Sequence, residues 1–397
     1  PPPPILSGLV GSEMCIRDRD NRMEVISAIV IGCVGVFFVF GMPFFVGGII
    51  LEMGFSQSQA NLVSSAEIAG MAISSMLGYF WIRKFDWKKI AYFGISIIIL
   101  GNFISSIEWS AEQSFSYLVA IRFITGLLGH GVCFSLGVAA LGQTKNPDKN
   151  FAYSVMAQVV MGASTALMVP IAMEKYGISG MTIPAIALAL VGLYFAQYIP
   201  ERNHSEIMDS PTTSNNKLTL LPFIGLFIMV IWQMGVGPFF NNLVPYGMNN
   251  GLSGDDIGKA LFISTAMSII GPISASMLIE KVNKSYAIIG ALTVQILIVL
   301  SFNGEISWIG FTLRAICFQV AWNFVGPFLM GMIATVDKTG SYSVMIPASQ
   351  LGGISIGHAV IASILNTGNP MLINYFSGLF IALSIMLYLL LFKNQSE

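Results

Sequence analysis

The sequence predicts an all-α integral membrane protein, with twelve transmembrane helices arranged as two pseudo-symmetric six-helix bundles. Three observations predict it. Hydrophobic residues make up 55% of the chain and charged residues only 10%, against about 25% charged in a soluble domain. Apolar stretches of the length needed to cross hydrocarbon, roughly 20 residues for about 30 Å, recur between short polar breaks. The second half of the chain repeats landmarks of the first in the same order. Closed strand barrels also span membranes, but their strands alternate apolar and polar residues. Runs such as "ISIIIL" and "SIMLYLLLF" do not alternate, so the spans are helices.

Taken in order, the chain opens on Pro1 to Pro4 and "SGLVGSEMCIRDR" at 7 to 19, which resembles a translated sequencing adapter. Residues 1 to 22 are therefore expected to be a non-native disordered tail, with a short disordered cytoplasmic tail as the alternative, and Met23 as the natural start. The first span, 25 to 50, carries Pro43-Phe44-Phe45; the second, 60 to 82, carries Glu67 and ends in the basic turn "RKFDWKK". The third is 91 to 107. The fourth, 116 to 141, contains Arg122 within "LVAIRFITG", and the fifth, 151 to 172, opens on "YSVM". The sixth, 181 to 199, closes a bundle over residues 23 to 200. The longest polar break, "ERNHSEIMDSPTTSNNK" at 201 to 217, reads as a linker. The second bundle, 218 to 397, holds spans at 218 to 246, 257 to 280, 286 to 303, 307 to 335, 343 to 366 and 371 to 392. In it, Pro238-Phe239-Phe240 answers Pro43-Phe44-Phe45 and "GLS" at 251 answers "GFS" at 54; "EKVNKSY" takes the place of the basic turn, and "YSVM" returns at 342.

Basic residues collect on one side. Arg83, Lys84, Lys88, Lys89, Lys145, Lys149, Arg202, Lys217, Lys281, Lys284, Lys338 and Lys393 fall on the side of the termini, and only Lys175 and Lys259 on the other. Because cytoplasmic loops gather Lys and Arg, both termini are expected to be cytoplasmic and the location to be the plasma (inner) membrane. A formal net charge of -1 leaves no basic stripe for nucleic acid. The three histidines and four cysteines show no metal-ligand or disulfide spacing, and no Gly-rich loop carries a Walker lysine. The chain is expected to be no enzyme, to use no cofactor or metal, and to work as a monomer in the lipid bilayer.

From Glu24 to Lys393 the chain resembles the major facilitator superfamily. The resemblance rests on six plus six spans, the basic turn after the second, and Arg122 followed four residues on by Gly126, like the family's fourth-helix motif. Departures are also plain. "GYFWIRKFDWKK" keeps Gly78 and the basic residues of the family's second-loop signature but has Asp86 near the second glycine's place. "QVVMGASTALMVP" lacks the fifth-span signature of drug antiporters.

The resemblance implies that spans one, four, seven and ten line a central cavity. Aligning "LVAIRFITG" with "GFTLRAICF" pairs Arg122 with Arg314, each about seven residues from its predicted span end and roughly 10 Å deep at 1.5 Å per residue. The alternative is that each guanidinium bonds backbone carbonyls or snorkels to the interface. Glu67 lies at the depth of Arg122, so Glu67, Arg122 and His130 are the candidate proton-coupling residues, with a permanent ion pair or a merely hydrogen-bonded histidine as the other readings. An offset of 197 carries Glu67 onto Ser264, leaving Arg314 without a carboxylate and open to an external anion. Candidate substrate-binding residues are Arg314, Arg122, Trp322, Asn323, Gln233, Asn241, Phe44 and Phe239, against the plainer reading of the aromatics as packing. His358 lies among glycines that suggest close helix packing. The expected function is secondary active transport of a small, partly apolar organic anion by alternating access, coupled to protons. The alternatives are a proton-driven exporter of hydrophobic or cationic compounds, and a non-transporting membrane receptor or assembly factor on the same fold.

Overall fold

The computed structural model describes residues 21–55, 57–107, 111–200, 220–337, 341–365 and 371–391; the linker at 201–217 and residues 1–20 of the tail expected at 1–22 lie outside them. Asn21 and Arg22 are the cap and first residue of a helix, which corrects the tail's end. Several helices start where a polar side chain meets the free amides of a first turn. Asn21 accepts from Met23 N at the head of α1 (Arg22–Met53), which ends at Gly54 in a left-handed conformation, φ 68°. After α2 (Gln57–Trp81), Asp86 accepts from Lys89 N and opens α3 (Trp87–Ser105). This cap explains the acid within the basic turn. α4 has three continuous pieces: Ala111–Ile124, a π turn at Thr125–His130, and Gly131–Gly142. α5 (Pro147–Tyr176) carries proline in its first turn, where no amide partner is lost, and α6 is Ser179–Ala196.

In the second half, α7 (Leu220–Asn241) is followed by a short helix, Leu243–Asn249. α8 is capped by Ser253 and broken between Gly254–Met267 and Ile270–Leu278. Asn283 caps α9 (Lys284–Ser301), and Ser307 caps α10 (Trp308–Val336). α11 is a 3₁₀ turn at Ser343–Met345 leading into Ile346–Leu365, and α12 is Met371–Leu391. Thus the described residues contain all twelve expected spans. Most begin a few residues early, because the polar first turn that a hydropathy reading excludes is already helical.

The halves are built alike. α1 packs on α5 and α6 as α7 packs on α11 and α12; α2 meets α4 as α8 meets α10; α3 meets α6 as α9 meets α12. Among the described residues, ten of the helices are long and apolar enough to cross a membrane. The two that fall short, α2 and α11, pack against each other across the halves. Their polar residues are partly shielded from lipid by this contact.

The halves join at the face that carries the basic turns. Ser75 Oγ donates to Val344 O at 2.8 Å and accepts from Ala348 N at 3.0 Å. Tyr79 and Tyr342 stack edge-on, with ring centroids 5.6 Å apart. Lys284 Nζ lies 2.6 Å from the buried carboxylate of Asp148, and Lys149 Nζ 2.8 Å from Glu280. Gln143 Nε2 donates to Asp337 O at 3.2 Å. Each of these groups sits near a helix end or in an adjoining loop.

A buried charge cluster and its neutral counterpart

Arg122 and Glu67 are both fully buried, the twelfth residue of α4 facing the eleventh of α2. Two parallel bonds join them: Nε to Oε2 at 2.9 Å and Nη2 to Oε1 at 2.5 Å. This is the fork geometry that only a guanidinium gives. The third nitrogen, Nη1, donates to Asn102 Oδ1 at 3.1 Å and Ser105 Oγ at 3.4 Å on α3. Both acceptors are held in place, since Asn102 Nδ2 donates to Ile98 O and Ser105 Oγ to Gly101 O. The guanidinium lies over the Phe38 ring, 3.7 Å from its centroid, and 5.3 Å from that of Phe45. Such cation–π contact strengthens where water is excluded. Gly126 permits the approach: a β-carbon there would overlap the Glu67 carbonyl.

His130, also fully buried, closes the cluster. Its Nδ1 lies 3.1 Å from Val34 O and 3.2 Å from Gly35 O. Carbonyls only accept, so Nδ1 carries hydrogen. Nε2 then faces Glu67 Oε1 at 3.5 Å and has no hydrogen-bond partner among the described residues. The π turn brings this ring to the carboxylate: it spans the segment between Arg122 and His130, and one-turn π insertions recur at functional sites.

The second half places an uncharged set at the equivalent point. Gln319 Nε2 donates to Ser264 Oγ at 2.6 Å, across the same separation of 55 residues that joins Arg122 to Glu67. Thr265 Oγ1 donates to Gln319 Oε1 at 3.2 Å. One turn on, Asn323 Nδ2 donates to Ser268 Oγ at 2.9 Å. The offset of 197 that carries Glu67 onto Ser264 carries Arg122 onto Gln319, so the pairing of Arg122 with Arg314 is corrected. Register along the helix, rather than the identity of one residue, sets the counterpart. Nor do the two arginines lie at one depth, for Arg314 is only the seventh residue of α10. It is half-buried, and its Nε donates to Ser301 Oγ at 3.2 Å at the end of α9.

The remaining candidates separate. Trp322 and Asn323 are half-buried side by side on α10, with the Trp322 ring 5.5 Å from Phe240. Phe239 is buried between Phe302 and Phe318 as core, because α7 turns it inward while Phe240 stays half-open. Gln233 is buried beside Gly353 of α11, and its Oε1 is unpaired among the described residues. The side chains of Phe44, Asn241 and His358 lie outside those described. Asn102, Ser105, Gln319 and Ser264 were not foreseen as partners. Their signal was present as polar residues at mid-helix positions of otherwise apolar runs.

A family model described as Major Facilitator Superfamily matches residues 27–358. No curated protein matches the chain significantly. Among solved structures, the chain is similar to an E. coli fucose:proton symporter, with TM-score 0.71 at 14% identity, covering 92% of this chain and 98% of that one. It is similar to a proton:xylose symporter bound to 6-bromo-6-deoxy-D-glucose, with TM-score 0.72 at 13% identity over 92% and 94%. A bacterial homologue of the iron transporter ferroportin, in an outward-facing state, gives 0.69 at 12% identity over 93% and 99%. Likeness at these identities is likeness of fold.

Proposed function

Because the chain belongs to the Major Facilitator Superfamily and is a multi-pass membrane transporter, we propose that it is a secondary active transporter driven by protons through Glu67, Arg122 and His130. One observation carries this reading. With Nδ1 committed to two carbonyls, a neutral His130 and an ionised Glu67 set two lone pairs against each other at 3.5 Å. One proton between them converts that repulsion into a hydrogen bond. Arg122 does not need the carboxylate's full charge to stay in place, since Asn102, Ser105 and the Phe38 ring also hold it. The cluster therefore has a proton-loaded and a proton-free form without rebuilding its walls.

Coupling then follows from linkage: proton and substrate bias one equilibrium between the state closed at the basic face and its opposite, each by its differential affinity. The substrate is a small organic anion. Supporting this is Arg314, whose Nη1 and Nη2 have no carboxylate or hydrogen-bond partner among the described residues and so remain available for a bidentate contact. A second reading, a neutral polar solute, is favoured by a different observation: the counterpart of the charged cluster is the amide and hydroxyl set of Gln319, Ser264 and Asn323.

The test begins with a thermal-shift screen of carboxylates and neutral polar solutes, in which ligand at 100 times its Kd stabilises by about 2.7 kcal/mol. With the ligand found, Glu67→Gln in proteoliposomes is expected to abolish proton-driven accumulation while counterflow persists. Accumulation at the wild-type proton stoichiometry removes the coupling proposal. An anion whose affinity is unchanged in Arg314→Ala removes the anion reading and leaves the neutral one.

A further inference from the structure

Outside the charge cluster, the described residues enclose a cavity of about 500 Å³ between α2, α3 and the middle of α4. Its wall is apolar: Leu77, Phe93, Leu127, Leu128 and Val132 line it, and Asp86 and Lys89 stand at its end. It opens on the outer surface of the first half, since α3 packs on α4 and α6 and takes no part in the main contacts between halves. Leu77, Phe93 and Leu128 are each more than a third exposed, at a depth where the surrounding solvent is hydrocarbon.

From this geometry we propose that the cavity is a binding site for an anionic phospholipid, one acyl chain lying in the furrow and the phosphate against the basic turn. Charge complementarity selects this occupant. Lys89 stands in the mouth without a carboxylate partner among the described residues, and Arg83 and Lys84 belong to the same basic turn. Asp86, the acid among them, is committed through Oδ1 to the Lys89 amide as helix cap. Basic pockets between transmembrane helices hold acidic head groups in this way. Trp81 marks the level of the mouth: its Nε1 donates to Ser74 O at 3.2 Å, and tryptophans collect where hydrocarbon meets head groups. A zwitterionic lipid would fill the furrow equally but leave the positive charge of Lys89 and its turn unanswered.

The experiment uses the purified full chain in detergent, with phosphatidylglycerol, phosphatidylcholine and free glycerol phosphate as probes, read by native mass spectrometry and thermal stability. Retention of phosphatidylglycerol over phosphatidylcholine is expected to be roughly tenfold, with glycerol phosphate not retained. Lys89→Glu should erase the preference, and Leu128→Trp, which fills the furrow, should erase retention. Equal retention of the two lipids overturns the choice of occupant; retention of glycerol phosphate overturns the seat of the acyl chain; undiminished retention in Leu128→Trp overturns the site. Should that variant fail to fold, a photoactivatable phosphatidylglycerol on the wild type decides: labels confined to α2, α3 and α4 support the site, and labels elsewhere refute it.

Discussion

At Arg122 every guanidinium nitrogen is engaged, and two of the three face one carboxylate. Removing Arg122 alone leaves the Glu67 carboxylate buried without its two hydrogen bonds, at about 3–5 kcal/mol. Arg122→Ala is therefore expected to lower thermal stability sharply, whereas Arg122→Ala with Glu67→Ala recovers much of the loss. Gln319→Leu, at the equivalent place in the other half, should cost only about 1 kcal/mol, because Ser264 Oγ also donates to Leu261 O and no charge is stranded. Melting curves of these variants beside the wild type check this, and equal losses in Arg122→Ala and Gln319→Leu would contradict it. The partnership of Glu67 with Arg122 was legible from depth along two helices. The supporting Asn102 and Ser105 were not, since nothing in the sequence says which face α3 turns toward α4.

At the scale of the element, α4 departs most from expectation. The sequence reads as one uninterrupted helix over 116 to 141, yet Thr125–His130 is a π turn. A π turn costs backbone hydrogen-bond geometry and persists where packing repays it. Here the packing is Gly126 against the Glu67 carbonyl and Gly131 against Ser74 and Met71. Gly126→Ala is expected to separate α2 from α4, loosen the Arg122–Glu67 fork and impair coupling more than expression. The measurement is proton stoichiometry of transport beside yield of folded protein, and an unchanged stoichiometry would show the turn to be incidental. Helix caps, by contrast, were written locally: Asp86→Ala removes the bond to Lys89 N and should cost about 1 kcal/mol, seen as a small drop in melting temperature.

Across the whole molecule, polar contacts between halves gather at the basic face, the seal of the proposed closed state. A disulfide between cysteines placed at Gly78 and Val344, whose positions touch, should arrest transport under oxidation and release it on reduction. Transport that continues through quantitative cross-linking would remove these contacts from the moving seal. Within the seal, the ammonium of Lys149 bonded to Glu280 holds that carboxyl below its ordinary pKa. The pair is thus kept at neutral pH and lost only as pH falls through the lowered value. Lys284 sits against Asp148, which is buried with one oxygen unpaired among the described residues. Lys284→Ala should weaken the closed state far more than Lys149→Ala, as read by cross-linking rate.

Length, composition and periodicity were enough for twelve helices, two halves and the side on which the halves gather positive charge, because each is a property of local sequence and of hydrocarbon as solvent. Glu67 and Arg122 were also within reach, since a charge in hydrocarbon needs a partner at its own depth. Which residue stands opposite Arg122 in the second half was decided by the packing of α8 on α10, where register along two helices, not residue identity, sets the pair. The same holds for Phe239 against Phe240, one residue apart and turned respectively into the core and toward Trp322. It holds too for the charged seal, whose members lie far apart in sequence and meet only when the halves close on each other. Rotation about a helix axis and contact between distant segments follow from the packed whole, which the linear pattern of one chain does not contain.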